Sequence, residues 1–334
     1  MFDYRASWIS INHQDGDGGQ FELFRKGEWL TKEMSNHDNN AVGMTTVYHN
    51  TVALQNWCPK GTPNLNWFEG GEWANGSQWM EGMDAGDPST LFSTSPGHVY
   101  VTSSLTNLFN RPDVWDSNNA ATDVTQATRS IVWLTNDFVV IYDRATTLHS
   151  GLFKQVHFSL VNPPVITGNV ATETMPDNQR LFIQTLLPLA PALSDFNGAA
   201  NLKPIAQLEP TQYIYQVADP SLPTDTRFLH VLQGADPGAP MVPATYLQST
   251  ESTAFDGAVF GSAAVYFPVS STAPFAGTTI SAPTGVHTLL VTGLAPAASY
   301  GVSIQSGSSG HTVTIAASGV GAITDAGGVL DFSF

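Results

Sequence analysis

An all-β fold, a large antiparallel β-sandwich, is what this sequence predicts, and three observations predict it. Apolar and β-branched residues alternate with polar ones in short runs, each run closes on Gly, Asn, Asp or Pro, and apolar residues at helical spacing are nearly absent. The chain has 334 residues with only 12% charged, so it is long enough for a substantial core and too apolar to stay disordered.

The elements follow in order. Alternating runs at residues 6–11, 21–24, 46–48, 98–102 and 130–134 are expected strands. Asn136-Asp137 separates two apolar runs and predicts a tight hairpin, because Asn and Asp tolerate positive φ. Further strands are expected at 153–160, 180–187, 212–217 and 227–233, parted by Pro-rich loops such as Leu187-Pro188-Leu189-Ala190-Pro191. From residue 257 the composition shifts to Ala, Gly, Ser, Thr and Val, with strands expected at 257–268, 287–292, 300–305, 311–316 and 328–334. We therefore divide the chain into 1–256 and 257–334. No linker sets the second part off, so it is expected to be continuous with the same sandwich.

Composition excludes several functions. A formal charge of -16, from 28 acidic against 12 basic residues, disfavours nucleic acid, whose phosphates need clustered Lys and Arg. No apolar run reaches the roughly 18 residues a membrane-spanning helix requires. Met1-Phe2-Asp3-Tyr4-Arg5 does not read as a signal peptide, and the start reads as that of an excised domain. The single cysteine, Cys58, cannot form an intramolecular disulfide and reads as a small buried hydrophobe.

Polar chemistry concentrates between His13 and Thr51: two histidines, several carboxylates, Arg25, Lys26 and Lys32, and the cluster Asp15-Gly16-Asp17-Gly18-Gly19. An EF-hand would need an oxygen ligand at the fifth loop position and Glu at the twelfth, where Gly19 and Lys26 stand, so that motif fails. A carboxylate-rich turn can still hold a cation if ligands from the turn at 13–17, Glu33 and His49 converge. Arg25, Lys32 and Trp29 are the candidate substrate-binding residues; alternation puts Arg25 and Lys26 on opposite faces, so only one faces a given groove. Between residues 56 and 116, Trp57, Trp67, Phe68, Trp73, Trp79 and Trp115 are either sugar-stacking platforms or anchors for a long surface loop.

The run His13-x-x-x-Asp17-x-Gly19-x-Phe21-x-Leu23, Gly27-x-x-Leu30, an acidic residue and then His49-Asn50-Thr51 resembles the β-sandwich domain of heparinase II/III-like polysaccharide lyases, which include alginate and oligoalginate lyases. The segments at 129–143, 228–232 and 328–332 are similar to that domain too. The resemblance implies β-elimination on an acidic, uronate-containing polysaccharide such as alginate, by a secreted or periplasmic enzyme. It also implies a partner, an N-terminal α/α toroid that this sequence lacks, and leaves a homo-oligomer open.

The same resemblance distributes roles. His13 matches the catalytic histidine, Asp15 stands where a metal-binding histidine is expected, Glu33 matches the second metal ligand and His49 the third. If Gly16-Asp17 is an insertion, His13 itself becomes the ligand. Zinc is the family's usual metal; a site of Asp15, Glu33 and His49 is richer in oxygen, which admits calcium or manganese. Uronate elimination needs a base for the C5 proton, positive charge against the carboxylate and a proton donor for the C4 oxygen; His13 is the expected base and a toroid tyrosine the expected acid. The rival expectation is a carbohydrate-binding or structural module that kept the fold and lost the chemistry.

Overall fold

The run from Phe138 to Ala145 is apolar almost without interruption because its strand is covered on both faces. In the computed structural model, Val139, Ile141 and Ala145 enter one core, whereas Phe138, Val140 and Tyr142 enter another. The structure describes residues 1–5, 15–34, 41–56, 76–78, 89–110, 122–135, 137–202, 209–250 and 252–334. The expected strand at 6–11, Cys58, and the aromatic residues between 57 and 75 and at 79 and 115 lie outside them.

In chain order, β1 (Phe2–Arg5), β2 (Gln20–Arg25) and β3 (Glu28–Thr31) form a small antiparallel sheet. Then come β4 (Val52–Leu54), β5 (Ser89–Thr94), β6 (His98–Ser104), β7 (Val124–Leu134), β8 (Phe138–Thr147), β9 (Lys154–Leu160), β10 (Val165–Thr167), β11 (Val170–Thr174), β12 (Arg180–Leu187), β13 (Ala192–Asn197), β14 (Tyr213–Ala218) and β15 (Asp225–Ala235). They make an eight-stranded sheet ordered β10-β11-β12-β15-β8-β7-β6-β5 and a four-stranded sheet ordered β13-β14-β9-β4. Phe21, Val52, Val156, Phe158 and Tyr215 meet Ile131, Ile141, Ile183 and Phe228 between these layers.

The remaining strands are β16 (Ala244–Gln248), β17 (Phe255–Phe260), β18 (Ala263–Pro268), β19 (Thr278–Pro283), β20 (Thr288–Val291), β21 (Ser299–Gly307), β22 (Gly310–Ala316), β23 (Ala322–Ile323) and β24 (Leu330–Ser333). They form a five-stranded sheet ordered β16-β17-β18-β20-β24 and a four-stranded sheet ordered β19-β22-β21-β23. Alternation again serves two cores: Val265 and Phe267 of β18 pack toward the eight-stranded sheet, and Ala264 and Tyr266 pack toward the last sheet. The described chain is thus a stack of antiparallel sheets with one parallel pair, β18 with β20, and no closed barrel.

Two sequence expectations change. The division at 256/257 falls inside β17, and the C-terminal sheet already begins with β16, so the shift in composition does not mark a structural joint. Residues Thr46–Tyr48 form a 3-10 turn rather than a strand. The Thr46 side chain donates to the Gly16 carbonyl and the Tyr48 amide closes back on Thr45, so local bonds displace a sheet ladder.

Between the two layers of the sandwich, His157 and His230 are buried, each with one ring nitrogen lacking a partner among the described residues. Burial, with the charge of Arg129 adding to it, pushes His157 down to about 4 and His230 to about 3. A histidine near 6.5 in the unfolded chain but lower in the native state takes up its proton preferentially on unfolding. Stability is therefore expected to fall as pH drops from about 6.5 toward 4, by on the order of 2 kcal/mol per histidine. Urea midpoints measured across that range should show the loss, and His230→Phe should flatten it; an unchanged acid limb would count against the assignment.

Candidate active site

The turn before β2 is shaped by glycines. A Cβ on Gly18 would lie 2.3 Å from Leu108 Cδ1, and Gly19 adopts φ +79, a left-handed conformation that favours glycine. Side chains from elsewhere hold this turn. Gln78 accepts from the Gly18 amide and donates to the Gly18 carbonyl, both at 2.8 Å, and Thr51 Oγ1 donates to the same carbonyl. The Arg5 carbonyl accepts from the Gly19 amide at 2.9 Å.

The segment His49-Asn50-Thr51 is fully buried beside it. Asn50 donates to the Phe21 carbonyl at 2.8 Å and accepts from Thr31 Oγ1 and the Ser159 amide, tying β2, β3 and β9 together. That clamp fixes the neighbouring His49, whose Nδ1 lies 3.1 Å from Glu33 Oε2 just past the end of β3. His49 Nε2 is buried with no hydrogen-bond partner among the described residues. Arg5 pairs with the buried Asp17 carboxylate and places Nη2 3.6 Å from Glu33 Oε1.

The electrostatics are those of a tightly coupled cluster. Burial pulls His49 down, but the hydrogen bond and charge of Glu33, with Asp15 and Asp17 behind it, outweigh that and push the imidazole up to about 9. Glu33 goes the other way, to about 2, because His49 and Arg5 overcome its desolvation. Burial raises Asp15 to about 6 and raises Asp17 as well, with His49 opposing both shifts. At neutral pH the described cluster therefore holds an imidazolium and a guanidinium against the carboxylates of Asp15, Asp17 and Glu33, charges that largely offset one another.

The sequence-predicted residues divide clearly. His13 lies outside the described residues. Glu33 and His49 touch, and Asp15 lies within electrostatic reach of both. Among the described residues, however, no group of three His, Cys, Asp or Glu side chains is placed to hold a metal ion. Lys32 pairs with Glu209 and stands over the Trp29 ring at 6.0 Å, so those two share a face.

Arg25 is committed elsewhere: it is 9% exposed and bonds to Gln179, Asp137 and Asp236. Lys26 reaches the same Asp236, because the strand ends at Arg25 and Lys26 turns at φ +46. The opposite-face expectation fails for that reason. Sequence reasoning missed Arg5, Asp17 and Gln78 as members of the cluster. Arg5 carried one signal, a cation at a strand end in a chain with only 12 basic residues.

No family model matches this chain, and no curated protein matches it. Solved structures do. A mutant of the heparan sulfate lyase HepC from Pedobacter heparinus matches 80% of the chain with a TM-score of 0.56 at 16% identity, and the unmutated enzyme matches 76% with a TM-score of 0.53 at 16%. A heparinase III matches 80% with a TM-score of 0.55 at 12% identity. The chain spans only 39%, 37% and 39% of those chains. At such identities the likeness is one of fold: this β-sandwich stack is shared with part of the heparan sulfate lyases.

Proposed function

We propose that this chain is the sandwich half of a polysaccharide lyase that cleaves a uronate-containing polymer by β-elimination. The observation that carries the reading is the buried Glu33–His49 pair, with Arg5 and Asp17, set on a fold shared with heparan sulfate lyases. Removing the C5 proton leaves negative charge on the uronate carboxylate, and preorganised positive charge stabilises it. Arg5, whose side chain is 48% exposed, is the cation of the cluster open to a substrate carboxylate, and His49 holds Glu33 beside it. The base is His13, as the resemblance implies, and the proton donor to the C4 oxygen is a tyrosine of the helical toroid domain that the same resemblance implies. Polymers of this size are met outside the cytoplasm, so the reading places the protein in a secreted or periplasmic setting.

The substrate follows from the same logic. Heparan-type polymers come first, since they are what the matching lyases are named for, and alginate second. The test is to incubate the chain, alone and with a toroid domain supplied in trans, with heparan sulfate, hyaluronan and alginate, following the ultraviolet absorption of unsaturated uronate. Product from one polymer is expected. No product from any of them, even with the toroid present, leaves the non-catalytic carbohydrate-binding module as the reading.

A divalent metal held by Asp15, Glu33 and His49 belongs to the same proposal, with zinc first and calcium or manganese next. His49 Nε2, buried with no hydrogen-bond partner among the described residues, is the donor atom that supports this reading; an ion there requires His49 to give up its proton and the carboxylates of Asp15 and Glu33 to turn toward Nε2, since as placed the three do not form a metal-holding group. The metal would supply positive charge against those carboxylates. Elemental analysis of protein purified without chelator should then find about one equivalent of metal. Chelation should lower the melting temperature, because an ion held only by the native state stabilises it.

A further inference from the structure

A second site lies on other strands. A cleft of about 540 Å³, within the range of roughly 300–1,000 Å³ usual for small-molecule sites, opens between the loop after β12, the start of β15 and β16. It shares no residue with the Glu33–His49 cluster. Its walls are of two kinds: Pro188, Leu189 and Tyr246 are apolar surface, and Asp219, Asp225 and Arg227 are polar. Leu189 is 79% exposed at the mouth of the cleft.

The polar wall is held from beneath. Asp256, fully buried on β17, accepts from Tyr142 Oη at 2.5 Å, Arg227 Nη1 at 2.6 Å and Tyr246 Oη at 2.7 Å. Three donors on one buried carboxylate fix the directions of Arg227 and Tyr246, the preorganisation that a binding site requires. Arg227 remains 29% exposed toward the cleft it lines. Asp219 Oδ1 is turned to Ser221 and Asp225 Oδ2 to Thr146, so both carboxylates are likewise oriented rather than loose.

We propose that this cleft binds a short stretch of uronate-containing oligosaccharide, apart from the site of cleavage. One guanidinium suits one sugar carboxylate, two aspartates accept hydroxyls from neighbouring sugars, and the Tyr246 ring with Pro188 and Leu189 covers an apolar C–H face. With Asp256 beneath it, one cation stands among three acids, so the site disfavours dense negative charge and favours a chain that alternates uronate with uncharged sugar over one charged at every residue. For its ligand class the inference rests on the lyase reading; for its location it rests on the cleft alone.

The test is calorimetric titration of the whole chain with two probes: an unsulfated hexasaccharide that alternates uronate with N-acetylhexosamine, and a hexamer of uronate at every position. The alternating probe is expected to bind more tightly. Arg227→Gln should weaken that binding about tenfold or more, and Leu189→Glu, at an exposed position, should do so without moving the melting temperature. Should Arg227→Gln fail to fold, Leu189→Glu and Ser221→Trp, which fills the cleft, carry the test. Absence of binding by the unmodified chain, or binding untouched by Leu189→Glu and Ser221→Trp, overturns the proposal. Binding that responds to the cleft variants while no polymer is ever cleaved supports the cleft and removes the lyase reading separately.

Discussion

Asp143→Asn is expected to destabilise the protein by about 3–5 kcal/mol, the cost of breaking one side of a buried ion pair. Arg129 and Asp143 are fully buried on adjacent strands, β7 and β8, and meet through two parallel bonds of 2.7 and 2.8 Å. With Asn at 143 the guanidinium keeps its charge in the core and loses the group that neutralises it. The second consequence is functional, because Arg129 Nη1 also donates to the Gly19 carbonyl at 3.0 Å and to the Asn50 carbonyl at 2.5 Å. One central-sheet arginine thereby locks the glycine turn and the His49 segment to the same strand. Urea unfolding reads the first effect. The double variant Arg129→Met with Asp143→Leu separates the two: it removes the unpaired charge and should recover part of the stability, yet it loses the site, since the Gly19 and Asn50 carbonyls then lack the donor that Asp143→Asn leaves in place. A change below about 1 kcal/mol in Asp143→Asn would sink this account.

Particular residues show how much of this was legible beforehand. Strand β12 appears where alternation and bounding loops placed it, because the period of side-chain direction in a strand is written directly in the residues. The 3-10 turn at Thr46–Tyr48 was not legible: three β-branched and aromatic residues favour a strand, and what overrides them is a bond from Thr46 to Gly16, 30 residues away. Within the site, Glu33 with His49 could be read as a pair of suitable types. Arg5 could not, since its place beside Asp17 depends on β1 pairing with β2, a register no local pattern announces.

Removing His49 is the change expected to reach furthest into the site. His49→Gln leaves Glu33 with the longer contact to Arg5 as its ion pair, and a loss of about 2–3 kcal/mol is expected near neutral pH. The sign of its pH dependence is fixed by the two shifts. His49 sits at about 9 against 6.5 unfolded, so its contribution is whole below 6.5 and is lost as pH rises through 9. Glu33 sits at about 2 against about 4.5, so its contribution is whole above 4.5 and is lost as pH falls toward 2. In chelator-treated protein the stability gap between the native chain and His49→Gln should therefore be widest between about pH 4.5 and 6.5 and close on either side. A gap that widened above pH 7 in that protein would mean His49 is neutral and the cluster is not the charge-stabilising device proposed. Adding zinc inverts the expectation, because a metal at Nε2 requires the neutral imidazole and competes with the proton. The gap should then persist above pH 7, so one titration carried out with and without metal distinguishes an ion-paired hairpin from a metal centre built of the same residues.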